Sequence, residues 1–290
     1  MDDSYWDQRI ETLPRATLAR LQQHRLNWQL RRCWDGSPFY RQRLEAAGLD
    51  PSAFADPDVL ARLPILHLPD LFVETRRMPP YGRLAVAPEA WWVEADEGQP
   101  EPLRVWTDGD VSHSADLAAR ALWAASAGTS TRCFVGNGID QRADFESRVD
   151  AAVEAGLARL RSQVTSAGDT PRSMHIVWAD RAPAPPSAIG PLVDPFHVFG
   201  LVPVAPTLAY ECDQRQGLHW AEDHVLVEVL DPETGLPTLD GAAGELVLTD
   251  LTREGSPLLR FALGRMAALE TTSCACGRTS ARSRDIRLFG

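Results

Sequence analysis

The sequence predicts an α/β fold that passes into a mostly β C-terminal part, and three observations point there. Apolar residues recur at helical spacing in "SHSADLAARALWAASAG" and again as Val149, Val153, Leu157, Leu160 and Val164. The apolar run "MHIVW" comes after the second helix and reads as a buried strand, which makes an α/β alternation. Further on, "HVLVEVL", "GELVLTD" and "PLLRFAL" are short strand-like runs, the first two separated by a "DPETG" turn.

Taken from the N-terminus, Arg15 to Cys33 is helical, with Leu18, Leu21, Arg25 and Trp28 near one face, and "DGSPFY" reads as a turn after it. A second helix, "RQRLEAAG", closes on Gly48, and the next segment, "LPILHLPDLF", is punctuated by prolines. Trp91 to Trp106 reads as two strands joined by a turn that carries Glu94, Asp96 and Glu97. The next helix has Ser112 or Ser114 near its N-cap and Gly128 at its end. The proline-rich "DRAPAPPSAIGP" marks a loop or subdomain boundary. We divide the chain into an α/β part, 1–205, and a β-rich part, 206–290.

Composition narrows the class of function. With 290 residues, 44% hydrophobic and 24% charged, the chain has the make-up of an ordinary globular protein. A formal net charge of −11 argues against nucleic acid, whose phosphates are met by clustered Lys and Arg, and against an anionic membrane surface. The acidic start "MDDSYWDQRIETL" lacks the basic and apolar segments of a signal peptide, and no apolar run has the length of a membrane span, so a cytoplasmic protein is expected. Five widely spread cysteines do not form a disulfide framework. Cys33 and Cys133 sit in apolar contexts as inert core thiols.

The other three cysteines, Cys212, Cys274 and Cys276, join His219 as four residues of metal-ligand chemistry in the β-rich part. Structural zinc is held by four such ligands, often as two close pairs brought together by the fold. The spacings fit loosely and leave a zinc site and free thiols both open.

The run "AYECDQRQGLHWAEDHVLVEVLDPETG" with "GELVLTDLTREGSPLLRFALGRMAALETTSCACGRT" resembles the phenylacetate-CoA ligase family, a branch of the acyl-adenylate-forming ligases. "FYRQRLEAAGLDP" and "LARLPILHLPDL" extend the resemblance to the N-terminal part, while 140–194 matches poorly. The resemblance implies the family's N-terminal domain, with doubly wound sheets and a β-rich subdomain, and a structural zinc on Cys212, His219, Cys274 and Cys276. The chain ends where the family's hinge to a mobile C-terminal domain begins, so a truncated member lacking that lid is expected.

Departures from the family pattern concentrate on ATP. Where the family has a Ser/Thr/Gly-rich phosphate loop ending in Lys-Pro and then Thr-x-x-Asp, this chain has "VEADEGQP" and then "TDGD", Thr107 to Asp110. Small residues let backbone N–H groups converge on a phosphate, and Glu94, Asp96 and Glu97 reverse that charge. In "HVFGLVPV", Val202 and Pro203 replace the family's hydroxyl residue and its magnesium-binding glutamate. In "LLRFALGRM", Arg265 replaces the ribose-binding aspartate. Neither ATP nor magnesium is therefore expected.

Three functions are compatible with these residues. An ATP-independent enzyme would act on an aryl or acyl substrate in a specialised biosynthetic pathway. A pseudoenzyme would support a protein partner, or a second copy of itself. Residual ATP chemistry would need a partner to complete it. Candidate catalytic residues are His224 and Glu222 in "WAEDH" and His197 beside the old active-site turn, since a histidine near carboxylates can move protons near neutral pH. "EDH" also occurs in ATP-dependent relatives. His67, His113 and His175 read as ordinary surface or core histidines, and Trp91, Trp92, Trp106 and Trp220 as core fillers or the walls of an aromatic pocket.

Overall fold

The computed structural model describes residues 4–86, 92–93, 104–125, 132–138, 143–163, 173–179, 195–201 and 204–288. The N-terminal helices are α1 (Gln8–Glu11), α2 (Arg15–Gly36), α3 (Pro38–Ala46), α4 (Val59–Arg62) and α5 (Leu68–Arg77). The stretch read as a turn after α2 instead starts α3. The Ser37 hydroxyl accepts from the Tyr40 N–H as an N-cap, and Pro38 fits the first turn, where no N–H is needed. Gly48, at φ 65°, comes after α3 in the left-handed conformation. On α2 the buried face is Leu18, Leu26, Gln29, Leu30 and Cys33, not the face centred on Trp28, which is 45% exposed.

The acidic stretch is flanked by β1 (Trp92–Val93) and β2 (Val105–Trp106), which pair antiparallel with Trp92 opposite Trp106. The joining residues, including Glu94, Asp96 and Glu97, lie outside the described residues. Helix α6 (Asp108–Ala124) then begins at least four residues earlier than its serines suggest. Thr107 caps the Asp110 N–H while Asp110 reaches back to the Thr107 N–H, a reciprocal box that satisfies two exposed donors.

Strand β3 (Arg132–Gly138), helix α7 (Ala143–Gln163) and strand β4 (Ser173–Ala179) form a crossover unit, and β5 (Phe196–Leu201), β6 (Ala205–Glu211) and β7 (Leu218–Trp220) come next. The rest comprises β8 (Val225–Leu230), β9 (Ala243–Asp250), β10 (Phe261–Ala268), β11 (Arg282–Ser283) and β12 (Arg287–Leu288). One six-stranded sheet has the order β11-β7-β6-β5-β4-β3, and a four-stranded antiparallel sheet has the order β12-β10-β9-β8.

Two expectations about architecture change. Among the described residues, β3, β4 and β5 run parallel, and β6, β7 and β11 complete the large sheet antiparallel, so it is mixed. One face, through Ile176, Val198 and Tyr210, packs on α6 and α7. The other, through Phe199, Leu208 and Trp220, shares a core with α2 and with Leu246, Leu248 and Phe261 of the small sheet. That second core also takes in residues of α3, α4 and α5, so helices as well as the small sheet contribute to it. The division at 205/206 falls between β5 and β6, which pair at Leu201 and Ala205, so both parts build one layer.

Candidate functional site

Two places in the fold gather chemistry. The first joins the β6–β7 hairpin to the loop between β10 and β11. Cys212 comes directly after β6, His219 lies in β7, and Cys274 and Cys276 stand on the loop; one ligand atom from each falls within 4.8 Å of all the others. Cys212 Sγ is 3.8 Å from Cys274 Sγ, and Cys276 Sγ is 3.5 Å from His219 Nε2. A tetrahedron with metal–sulfur bonds of about 2.3 Å and metal–nitrogen bonds of about 2.1 Å has edges of roughly 3.8 and 3.6 Å, so the donor set fits zinc.

The supports around these donors fit as well. His219 Nδ1 meets Ser280 Oγ at 3.2 Å, and the Arg278 N–H donates to Cys276 Sγ at 3.4 Å. Hydrogen bonding from Cys212, then from His219, holds the Cys276 thiol far below its ordinary range. Gly277 turns the loop at φ 85°, where a Cβ would sit 2.1 Å from Tyr5 Oη.

The second place is a narrow cleft of about 40 Å³ between the first turns of α6 and strand β6. It lies beside the C-terminal end of β5, where open α/β sheets bind ligands. Asp110, His113, Ser114 and Leu117 line it from one face of α6. Asp110 is fully committed, accepting from the N–H groups of Thr107, Glu254 and Gly255. Across the cleft, Asp250 accepts from Arg104 and the Leu258 N–H. The Arg253 guanidinium lies 3.7 Å from the Trp106 ring centroid.

His224 lines this cleft, but its ring is fully engaged. Nδ1 is 2.8 Å from Thr252 Oγ1 and Nε2 is 3.3 Å from Asp223 Oδ2. A carboxylate can only accept, so Nε2 carries the proton and Nδ1 accepts from Thr252. Burial, outweighing the pull of Asp223, pushes the His224 pKa down to about 4 and keeps the ring neutral. Burial alone would raise Asp223, but the Arg120 fork, with bonds of 2.7 and 3.1 Å, helps hold it below the usual carboxylate range.

The other two candidate catalytic residues lie elsewhere. Glu222 accepts from Arg15 and, at 2.6 Å, from the Ala281 N–H, tying α2 to the segment before β11. His197 sits near the opposite end of β5, roughly 13 Å along the strand from Leu201. There it meets Glu211 at 3.3 Å and lines a separate cleft with Arg215 and Arg284. His224, His197 and Glu222 are thus not one constellation. Pro203 lies outside the described residues. Arg265 comes directly after Gly264, which adopts φ 61° at a bulge between Ala262 and Met266.

Sequence reasoning named Trp106 as a core filler or pocket wall and His113 as an ordinary histidine, and it missed Thr207. His113 Nδ1, Thr207 Oγ1 and Trp106 Nε1 are buried without a hydrogen-bond partner among the described residues. An unmet buried polar group costs about 1–3 kcal/mol, so three around one cleft is a strong departure from a satisfied interior. His113 also meets His224 edge-on, with ring centroids 5.3 Å apart. Trp220, by contrast, is core at 1% exposure.

The fold is that of the adenylate-forming acyl-CoA ligases. Crystal structures of 2-hydroxyisobutyryl-CoA ligase superpose with TM-scores of 0.80 in the postadenylation state and 0.81 in the thioesterification state. Each match is 20% identical and covers 98% of this chain and 70% of the other. A phenylacetate-coenzyme A ligase of Thermus thermophilus is 32% identical across 94% of this chain and 70% of its own length. One of Escherichia coli is 26% identical across 97% of this chain and 74% of its own. No family model matches the sequence. The chain belongs to the phenylacetate-CoA ligase family.

Proposed function

We propose that this member of the family does not adenylate and acts without ATP on an aryl or acyl substrate in a specialised biosynthetic pathway, with a structural zinc on Cys212, His219, Cys274 and Cys276. The observation that carries the reading is the placement of Glu94, Asp96 and Glu97 in the stretch that corresponds to the family's phosphate loop. Like charges about 4 Å apart near a surface repel by roughly 4 kcal/mol each, so a triphosphate is strongly opposed there. Pro203 and Arg265, at the positions of the magnesium and ribose carboxylates, support the same reading.

Four protein ligands leave a zinc no open position, which suits a staple and not a catalyst. The described cysteines Cys33, Cys212, Cys274 and Cys276 are unpaired, which suits a cytoplasmic setting, and no described helix is long and apolar enough to cross a membrane.

The test is thermal unfolding of the purified chain with millimolar ATP and magnesium. A ligand that binds the native state raises the midpoint by mass action, and none is expected here. A rise of several degrees overturns the proposal. A second reading, a non-catalytic partner protein, is favoured by the structural engagement of Glu222 and His224. Turnover of the pathway intermediate by the pure protein alone excludes it.

A further inference from the structure

We propose that the Cys/His cluster is also a site of reversible oxidation: a hydroperoxide oxidises Cys276, Cys212 closes a disulfide onto it, and bound zinc leaves. The metal step rests on the zinc reading given above, whereas the disulfide step rests on the side chains alone.

Access and proximity carry the inference. Cys212, His219 and Cys274 are buried, and Cys276 is the donor of the four that is partly open to a small oxidant. A metal-bound cysteine is a thiolate, the form that attacks a peroxide. The second sulfur is at hand, since Cys212 Sγ lies within hydrogen-bonding reach of Cys276 Sγ and inside the 4.8 Å that encloses all four donors. Cys274 stands one residue from Cys276 on the same loop, where a bridge has little freedom to reach an S–S torsion of about 90°. Cys33, the remaining described thiol, is sealed in the core.

The chemistry balances with hydrogen peroxide as the oxidant. The Cys276 thiolate attacks a peroxide oxygen, an S–O bond forms, the O–O bond breaks and hydroxide leaves, giving a sulfenic acid. The Cys212 thiolate attacks that sulfur, an S–S bond forms, the S–O bond breaks and a second hydroxide leaves. The two thiolates give up two electrons, the peroxide accepts them, and two protons from water turn both hydroxides into water.

The bridge removes two of the four donors. His219 and Cys274 cannot complete a tetrahedron, so zinc is released. Cys276 lies outside the strands, so the sulfurs can close to about 2.05 Å without breaking a sheet pairing. The cluster is thus a metal staple that peroxide converts into a covalent one between the β6–β7 hairpin and the loop before β11.

Millimolar hydrogen peroxide added to the full chain tests this, with zinc release followed by a chromophoric chelator and disulfides mapped by mass spectrometry after alkylation. Expected are release of about one zinc per chain, a bridge between Cys212 and Cys276, Cys33 still reduced, and renewed zinc binding after thiol reduction. Cys276→His keeps four donors without a thiolate at the open position, and should hold zinc yet release it about tenfold more slowly.

Zinc retained under peroxide, release without a bridge between Cys212 and Cys276, or release from Cys276→His at the wild-type rate would each overturn the site. If Cys276→His does not fold, the peptide map of the wild type still decides. Native protein without zinc sinks the metal reading alone, because the map still reports whether the bridge forms.

Discussion

The Glu11 carboxylate and the Arg278 guanidinium meet at 2.7 Å, Oε2 to Nε, with side chains only 1% and 2% exposed. This pair fastens the first helix to the loop that carries two of the candidate metal ligands. Arg278 also donates to the Ser4 carbonyl, and Tyr5 Oη donates to the Cys276 carbonyl at 2.8 Å.

Breaking that pair should cost more than replacing it. Glu11→Gln leaves a buried guanidinium without its counter-charge, an expected loss of about 3–5 kcal/mol. The double variant Glu11→Leu with Arg278→Met should recover most of it. Urea unfolding of the wild type and these variants checks this; equal losses in single and double variants would contradict it.

Removing the metal should loosen the same region. Protein purified without chelator is expected to carry about one zinc per chain, and cobalt substitution should give the visible absorption of a tetrahedral thiolate site. Cys274→Ser should lower both the metal content and the thermal midpoint. Metal content well below one per chain in the native protein would remove the zinc proposal.

Acid should unfold the protein through His224. Its folded pKa, about 4, lies below the ordinary value of 6.5, so between these pH values the unfolded chain binds more protons. Stability from this group is full above pH 6.5 and is lost as pH falls toward 4, an effect on the order of 3 kcal/mol. His113, Arg120, Arg25 and Asp223 face the ring, and the depressed Asp223 adds a further loss at lower pH. His224→Gln, which does not titrate, should flatten the curve of unfolding free energy between pH 4 and 6.5.

Thr107 should prove more important than an ordinary surface threonine. Its hydroxyl accepts from the Asp110 N–H and donates to Glu254 Oε2 at 2.7 Å. Thr107→Val removes both bonds, and a loss of about 1–2 kcal/mol in denaturant unfolding is expected.

The Cys/His cluster is legible in the sequence because Cys and His are scarce, so four of them in one part of the chain stand out. The strands are legible too, since "LRVW" alternates and "GELVLTD" is a short apolar run bounded by polar residues, and β2 and β9 fall there. The serines of α6 misplace its start, and that error hides the cleft. With Thr107 as the cap, Asp110, His113, Ser114 and Leu117 fall on one helical face; with Ser112 as the cap Asp110 lies outside the helix, and with Ser114 as the cap His113 does too. Glu222 and His224 look catalytic in the sequence because adjacency in "WAEDH" says nothing of Arg15 or Thr252, which reach them from distant segments.

The Glu11 to Arg278 pair also bears on synthesis. The two residues are 267 positions apart, and ribosomes add about 5–20 residues per second, so the carboxylate waits roughly 13 to 50 s for its partner to be made. Through that interval the apolar face of α2 is exposed to the nascent chain's surroundings, because the β8–β10 layer that covers it is also made late. The apolar face of α2 therefore finds its full cover only after the C-terminal strands have been made.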